Sequence, residues 1–234
     1  MNRVAVIGLG PIGLTAARVV QLDPHLHLHT LIDTDASLVG TEPLIDGPAV
    51  QSSDASLADC DVALVCTGSS FVDLEPTLRR CIENGTHVVS SCEEMLWPAY
   101  RHGPLAEAMD HAAIEAGVAL LGTGVNPGFV MDYLPLVAST AVPEVTRVQV
   151  LRRVNAGGRR KPLQAKVGAT LTVEEFEQRR AAGTIGHRGM AESVAMVCAG
   201  LGHTATPGSI EETLDPVVAE HELHSSLGTI EIGA

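Results

Sequence analysis

The sequence predicts an α/β protein in which a doubly wound parallel sheet is followed by a second, more antiparallel unit. Three observations predict it. First, a short apolar run, Arg3 to Ile7, leads directly into Gly8-Leu9-Gly10-Pro11-Ile12-Gly13 and then into a helical pattern. Second, further short apolar runs at His25 to Asp33, Asp61 to Cys66, Thr86 to Ser90 and Val118 to Leu121 alternate with helical stretches, as βαβ units require. Third, Gly122-Thr123-Gly124-Val125-Asn126-Pro127-Gly128 puts three glycines, a proline and an asparagine into seven residues, a tight loop between two unlike halves. The halves are taken as 1–123 and 124–234.

Composition agrees. Of 234 residues, 45% are apolar but only 3% aromatic, so the core is built from Ala, Val, Leu and Ile, which suits parallel strands covered by helices. The formal net charge of −13 argues against nucleic acid or an anionic membrane as partner. Five scattered cysteines (Cys60, Cys66, Cys81, Cys92, Cys198) form no CxxC and suggest neither a disulfide framework nor a zinc site. The N-terminus enters a strand without a signal-peptide pattern, and no apolar run is long enough to span a bilayer, so a cytoplasmic protein is expected.

The glycine motif carries the first chemistry. Gly8 permits a sharp turn, Gly10 lets the backbone approach a pyrophosphate, and Gly13 lets helix pack on strand. Pro11 suits the first helical turn. Together with the amide of Ile12 and the helix dipole this predicts a dinucleotide site. In the second strand His25, His27 and His29 share one face; a polar strand face is the simpler reading than a metal site, and no metal is expected. Asp33 follows the motif by about 20 residues, where a carboxylate accepts from the adenosine ribose hydroxyls and repels a 2′-phosphate, so NAD is favoured, with NADP possible. Thr67, Gly68 and Ser69, with Ser70, end the next strand and read either as ligand contacts or as a turn with a helix N-cap.

Glu93 and Glu94 follow the Thr86 to Ser90 strand directly. Two acids on the ligand side of such a sheet read equally as a general base or as surface charge at a helix start. Helices are expected over Val72 to Asn84, Pro104 to Ala116, Phe129 to Thr140, Leu171 to Ala182 (capped by Thr170 or Thr172) and Met190 to Ala199. Strands are expected at Val145 to Val154, Pro216 to Ala219 and Gly228 to Ile232. Arg152, Arg153, Arg159, Arg160, Lys161 and Lys166 form a basic cluster in an acidic chain, either a solvated loop or a site for an acidic substrate group.

Taken together, the glycine motif, "SCEEM" at 91–95, "GTGVNPGFVMD" at 122–132, "RRKPLQAKVGATLTVEEF" at 159–176 and "GTIGHRGMAESVAM" at 183–196 resemble 2,4-diaminopentanoate dehydrogenase and the native amine dehydrogenases. The resemblance runs over nearly the whole chain. It implies a dihydrodipicolinate reductase-like fold: a Rossmann domain at 1–123, then a substrate-binding and dimerisation α/β domain with an open mixed sheet at 124–234, which reads as truncated at its C-terminus. It implies a homodimeric NAD(P)-dependent enzyme that deaminates an amine or diamino acid oxidatively to a carbonyl compound and ammonia. By the same resemblance Glu94, or else Glu93, is the base. Asn126 lies beside nicotinamide and substrate, and Arg152 and His187 line the substrate pocket. The cofactor contacts carry over to Gly8, Gly10, Ile12, Gly13, Asp33, Thr67, Gly68 and Ser69. An imine reductase of the dihydrodipicolinate type and a non-catalytic dinucleotide-binding module are the alternatives.

Overall fold

The structure is a computed structural model and describes residues 1–233. Its centre is a six-stranded, all-parallel sheet: β1 (Asn2–Ile7), β2 (Leu26–Ile32), β3 (Val50–Gln51), β4 (Val62–Val65), β5 (His87–Ser90) and β6 (Leu120–Gly122), in the order β3-β2-β1-β4-β5-β6. This is the doubly wound order, in which connections run outward in both directions from the β1/β4 boundary and leave a crevice at the strands' C-terminal ends.

Alternation within β1 explains why the sheet is covered on both faces. Val4 and Val6 pack with Ala17 and Val20 of α1 (Pro11–Leu22), whereas Ala5 and Ile7 pack with Phe71, Leu74 and Leu78 of α2 (Phe71–Glu83) and Met109 of α3 (Ala99–Ala116). Local signals end these helices where the sequence says they end. The Ser70 hydroxyl accepts from Asp73 N and caps α2, and Gly117, at φ 69°, closes α3. Helix α3 begins five residues before the expected Pro104. Its first turn is broken at His102 (φ −127°, ψ 40°), and Pro104 starts the second segment, where its missing N–H costs nothing.

Beyond Gly122 the chain forms α4 (Tyr133–Ser139), α5 (Lys161–Lys166), α6 (Val173–Ala181), α7 (Met190–Gly200) and the antiparallel hairpin β7 (Leu223–Ser225) and β8 (Gly228–Ile230). Helix α6 starts with a capping box: Thr172 accepts from Glu175 N, and the Glu175 carboxylate accepts from Thr172 N. The expected strands at Val145 to Val154 and Pro216 to Ala219 do not form. Both run as irregular chain, because a strand requires a hydrogen-bonded neighbour and neither finds one among the described residues. The mixed sheet expected in this half is represented, among the described residues, by the β7–β8 hairpin alone. No helix among the described residues is long and apolar enough to cross a membrane.

Candidate active site at the junction of the two halves

The glycine loop fits the phosphates of a dinucleotide. Gly8 adopts φ +89°, and a Cβ there would lie 2.9 Å from the Cys66 carbonyl, so the loops after β1 and β4 touch across the crevice. A Cβ on Gly13 would lie 1.8 Å from the Gly8 carbonyl oxygen. Gly10, by contrast, faces open space. It precedes α1 without any side-chain cap, which leaves the first-turn amides of Ile12 and Gly13 free for an anion. At the end of β2 the Asp33 carboxylate accepts from Leu9 N (2.6 Å) and Asp35 N (2.9 Å), which fixes it beside the same loop. Thr67 closes on Gly8, Gly68 faces open space, and the Ser69 carbonyl accepts from Glu94 N at 3.2 Å. The loop after β4 thus leads straight to the two glutamates.

Glu93 and Glu94 sit on a 3-10 turn, Glu93–Leu96, three residues past β5. Their surroundings differ sharply. Glu94 is buried. Its Oε2 accepts from Phe71 N (2.9 Å) and lies 3.2 Å from His102 Nε2, while Arg188 Nη1 donates to Oε1 at 3.1 Å. Burial alone raises its pKa, but the Phe71 amide, His102 and Arg188 outweigh it and hold the carboxyl below its ordinary value. Both oxygens are engaged and the group is a weakened base. Glu94, the first choice for the base, ties the N-terminus of α2 to α3 and to the segment before α7. Among the described residues Glu93's side chain meets one partner: Lys166 Nζ donates to both its oxygens at 3.2 Å.

The Gly122–Gly128 loop packs on that turn. A Cβ on Gly122 would come within 2.3 Å of the Met95 carbonyl, and one on Gly128 (φ +121°) within 2.2 Å of Gly124 N. Asn126 precedes a cis bond to Pro127. Gly189, at φ +80°, fits between Pro127 and the backbone of Glu93, where a Cβ would stand 2.7 and 2.8 Å away. Asp132, fully buried, pins the assembly by accepting from Gly128 N (2.8 Å), Tyr133 N (2.6 Å) and Ser193 Oγ of α7 (2.7 Å). The segments carrying SCEEM, GTGVNPG, QAK and HRGMAES thus converge on one point.

Asn126, Arg152 and His187 line one cavity of about 690 Å³, with Met131, Val167 and Met190 as apolar wall. Asn126 Oδ1 and His187 Nδ1 are buried there without hydrogen-bond partners among the described residues. Burial, then the charge of Lys166, push the His187 pKa down, against the opposing pull of Glu93. Sequence reasoning did not single out Lys166 as Glu93's partner, the His102 and Arg188 ties of Glu94, or Asp132. A second buried acid was also missed. Glu192 is held by Arg101 Nε at 2.7 Å and has its pKa raised by burial despite that arginine. Each of these depends on contacts between distant parts of the chain; only Asp132, directly before a helix, had a local cue, that of an N-cap.

Residues 129–234 match the family model described as the 2,4-diaminopentanoate dehydrogenase C-terminal domain. Among curated proteins, the chain is 34% identical over 175 residues to 2,4-diaminopentanoate dehydrogenase of Acetoanaerobium sticklandii, covering 74% of this chain and 49% of that protein. It is 30% identical over 154 residues to an amine dehydrogenase of Streptomyces virginiae, covering 59% of this chain and 42% of that one. The chain thus spans about half the length of the curated relatives it matches. Its fold superimposes on the structure of an amine dehydrogenase from Mycobacterium smegmatis with a TM-score of 0.74 at 23% identity, covering 99% of this chain and 71% of the other. The chain is accordingly a relative of the 2,4-diaminopentanoate and amine dehydrogenases, and its residues 129–234 carry that family's C-terminal domain.

Proposed function

We propose that this protein is an oxidoreductase that uses a nicotinamide dinucleotide, NAD in preference to NADP, to deaminate an amine or diamino acid oxidatively. The observation that carries the reading is the cavity lined by the second half beside the Gly122–Gly128 loop. It offers an unpartnered buried acceptor, Asn126 Oδ1, together with Arg152, next to an acid held at the loop crossing. An acceptor with no donor calls for an N–H group, and Arg152 calls for a carboxylate. The cavity wall also carries Arg180 and Glu211, charges of both signs that suit a zwitterionic diamino acid.

The nicotinamide, when bound, takes the hydride from the amine carbon. Gly8, Gly10, Ile12 and Gly13 hold the phosphates through backbone, Asp33 holds the ribose, and Thr67, Gly68 and Ser69 border the route to the nicotinamide. Glu93 takes the proton from the substrate ammonium and passes it to solvent. The re-formed carboxylate stabilises the iminium, takes a proton from the water that adds to its carbon, and returns that proton to the nitrogen, which leaves as ammonia as the carbonyl forms. Lys166 Nζ, donating to both oxygens, holds Glu93 in place. Glu94 cannot do this work while its oxygens hold Phe71 N, His102 and Arg188. His187, with its lowered pKa, stays neutral near pH 7 and offers a lone pair or an N–H to the substrate. We also propose a cytoplasmic homodimer whose ligands are small molecules rather than nucleic acid or membrane.

The test is spectrophotometric: NAD or NADP reduction with 2,4-diaminopentanoate and simple amines, with ammonia assayed in parallel. Dinucleotide-dependent release of ammonia supports the reading. Dinucleotide binding without turnover on the whole panel would make the protein a binding module instead. Reduction of a cyclic imine without ammonia would make it an imine reductase.

A further inference from the structure

A second cleft, about 460 Å³, lies where the two halves face each other on the other side of the glycine loop. It is lined by Pro11, Ile12, Thr15 and Ala16 from the first turns of α1 and by a single residue from the second half, Arg160. The position of that arginine is not casual. Its backbone caps α5, its carbonyl accepting from Leu163 N (2.9 Å) and Gln164 N (3.2 Å). Behind it, the fully buried Gln164 side chain donates to the carbonyls of Gly157 and Arg159 and to Ser226 Oγ, stitching the Asn155–Arg160 loop to the hairpin turn. The loop that presents Arg160 is therefore fixed from inside.

The guanidinium itself has no carboxylate within ion-pair distance among the described residues, although the chain carries 28 acids against 15 Lys and Arg. Arg3, Arg79, Arg101, Arg180 and Arg188 all do. The charge of its neighbour Arg159 is one of those that lower the His187 pKa, after burial and Lys166.

We propose that Arg160 is a phosphate-binding residue, supplied by the second half of the chain, that clamps the dinucleotide pyrophosphate from the side opposite the amides of α1. The inference rests on the dinucleotide reading above. Arginine suits the task because its planar fork donates two parallel hydrogen bonds to phosphate oxygens and stays charged at every working pH.

The experiment is calorimetric titration of the whole chain with NAD, ADP and adenosine, for the wild type, Arg160→Ala and Arg160→Lys. The proposal expects Arg160→Ala to bind NAD and ADP about tenfold more weakly, which corresponds to about 1.4 kcal/mol. Arg160→Lys should fall between, and adenosine, which lacks phosphate, should bind all three proteins alike. The dependence of ADP affinity on salt should become shallower in Arg160→Ala, as one ion contact is lost. Equal NAD and ADP affinities in Arg160→Ala and wild type would overturn the clamp while leaving the dinucleotide reading intact. An equal loss for adenosine would overturn it too, by showing general damage. A wild type that binds neither NAD nor ADP would instead overturn the dinucleotide reading beneath it.

Discussion

The two halves of this molecule are held together by different forces. Up to Gly122, two apolar clusters sandwich a six-stranded sheet, and residues such as Val6, Leu31, Leu57 and Leu78 are fully buried. Beyond it few apolar side chains are buried among the described residues (Pro127, Phe176, Ala191, Ala195 and Val197), and the buried polar ones (Asp132, Gln164, Glu192, Ser193) nearly match them. The first half is a hydrophobic fold with a glycine loop at its crevice. The second is tied to it by Glu192–Arg101, Lys166–Glu93 and Arg188–Glu94, while Asp132 and Gln164 fix segments within the second half. Burial of apolar surface is non-directional and tolerant, whereas a buried carboxylate fixes particular partners at particular distances.

Substitutions can break each kind of support in turn. The largest effect is expected at Leu78, fully buried between α2 and the sheet: Leu78→Ala should cost about 2–5 kcal/mol in denaturant unfolding. Close behind is Gly13→Ala, whose new methyl would meet the Gly8 carbonyl; about 1–3 kcal/mol is expected, with loss of dinucleotide binding, whereas Gly68→Ala, facing open space, should leave stability unchanged. The pins of the second half come next. Asp132→Ala leaves Gly128 N and Ser193 Oγ without their buried acceptor and should cost about 1–3 kcal/mol. Its signature distinguishes it from a core defect: protection of the Gly122–Gly128 amides from exchange should fall before that of the sheet.

Glu94 sharpens the comparison through pH. Because its folded pKa is depressed, its contribution to stability is fully present above the unfolded carboxylate pKa of about 4.3 and is lost as pH falls through the lower folded value. The stability gap between wild type and Glu94→Gln should therefore be constant near neutrality and close below about pH 4. A gap that widened on acidification would contradict the anionic tie to Arg188 and Phe71. The smallest effect is expected at the exposed Arg79–Glu75 pair on α2, where Glu75→Ala should change stability by about 0.3–0.5 kcal/mol or less.

The same contrast explains what the sequence could disclose. The alternation of strands and helices in the first half, the glycine loop and the caps Ser70 and Thr172 were readable because each depends on neighbours a few residues away. Strand β3 was not, since two residues carry no periodicity. The glutamates were found by position, but the difference in their surroundings was not legible. What separates them lies far off in the chain: Arg188 is 94 residues from Glu94, and Lys166 is 73 from Glu93. The strands expected at Val145 to Val154 and Pro216 to Ala219 failed for a related reason, since alternation states that a segment can pair but not that a partner is present.

The central claim is that the pinned junction is a catalytic site in which Glu93, and not Glu94, handles the proton. The most direct measurement is the turnover of Glu93→Gln with amine and NAD, beside a titration of NAD binding to the same protein. The account predicts a fall in kcat of about 10²–10⁴-fold with unchanged NAD affinity. Turnover at the wild-type rate in Glu93→Gln would contradict it.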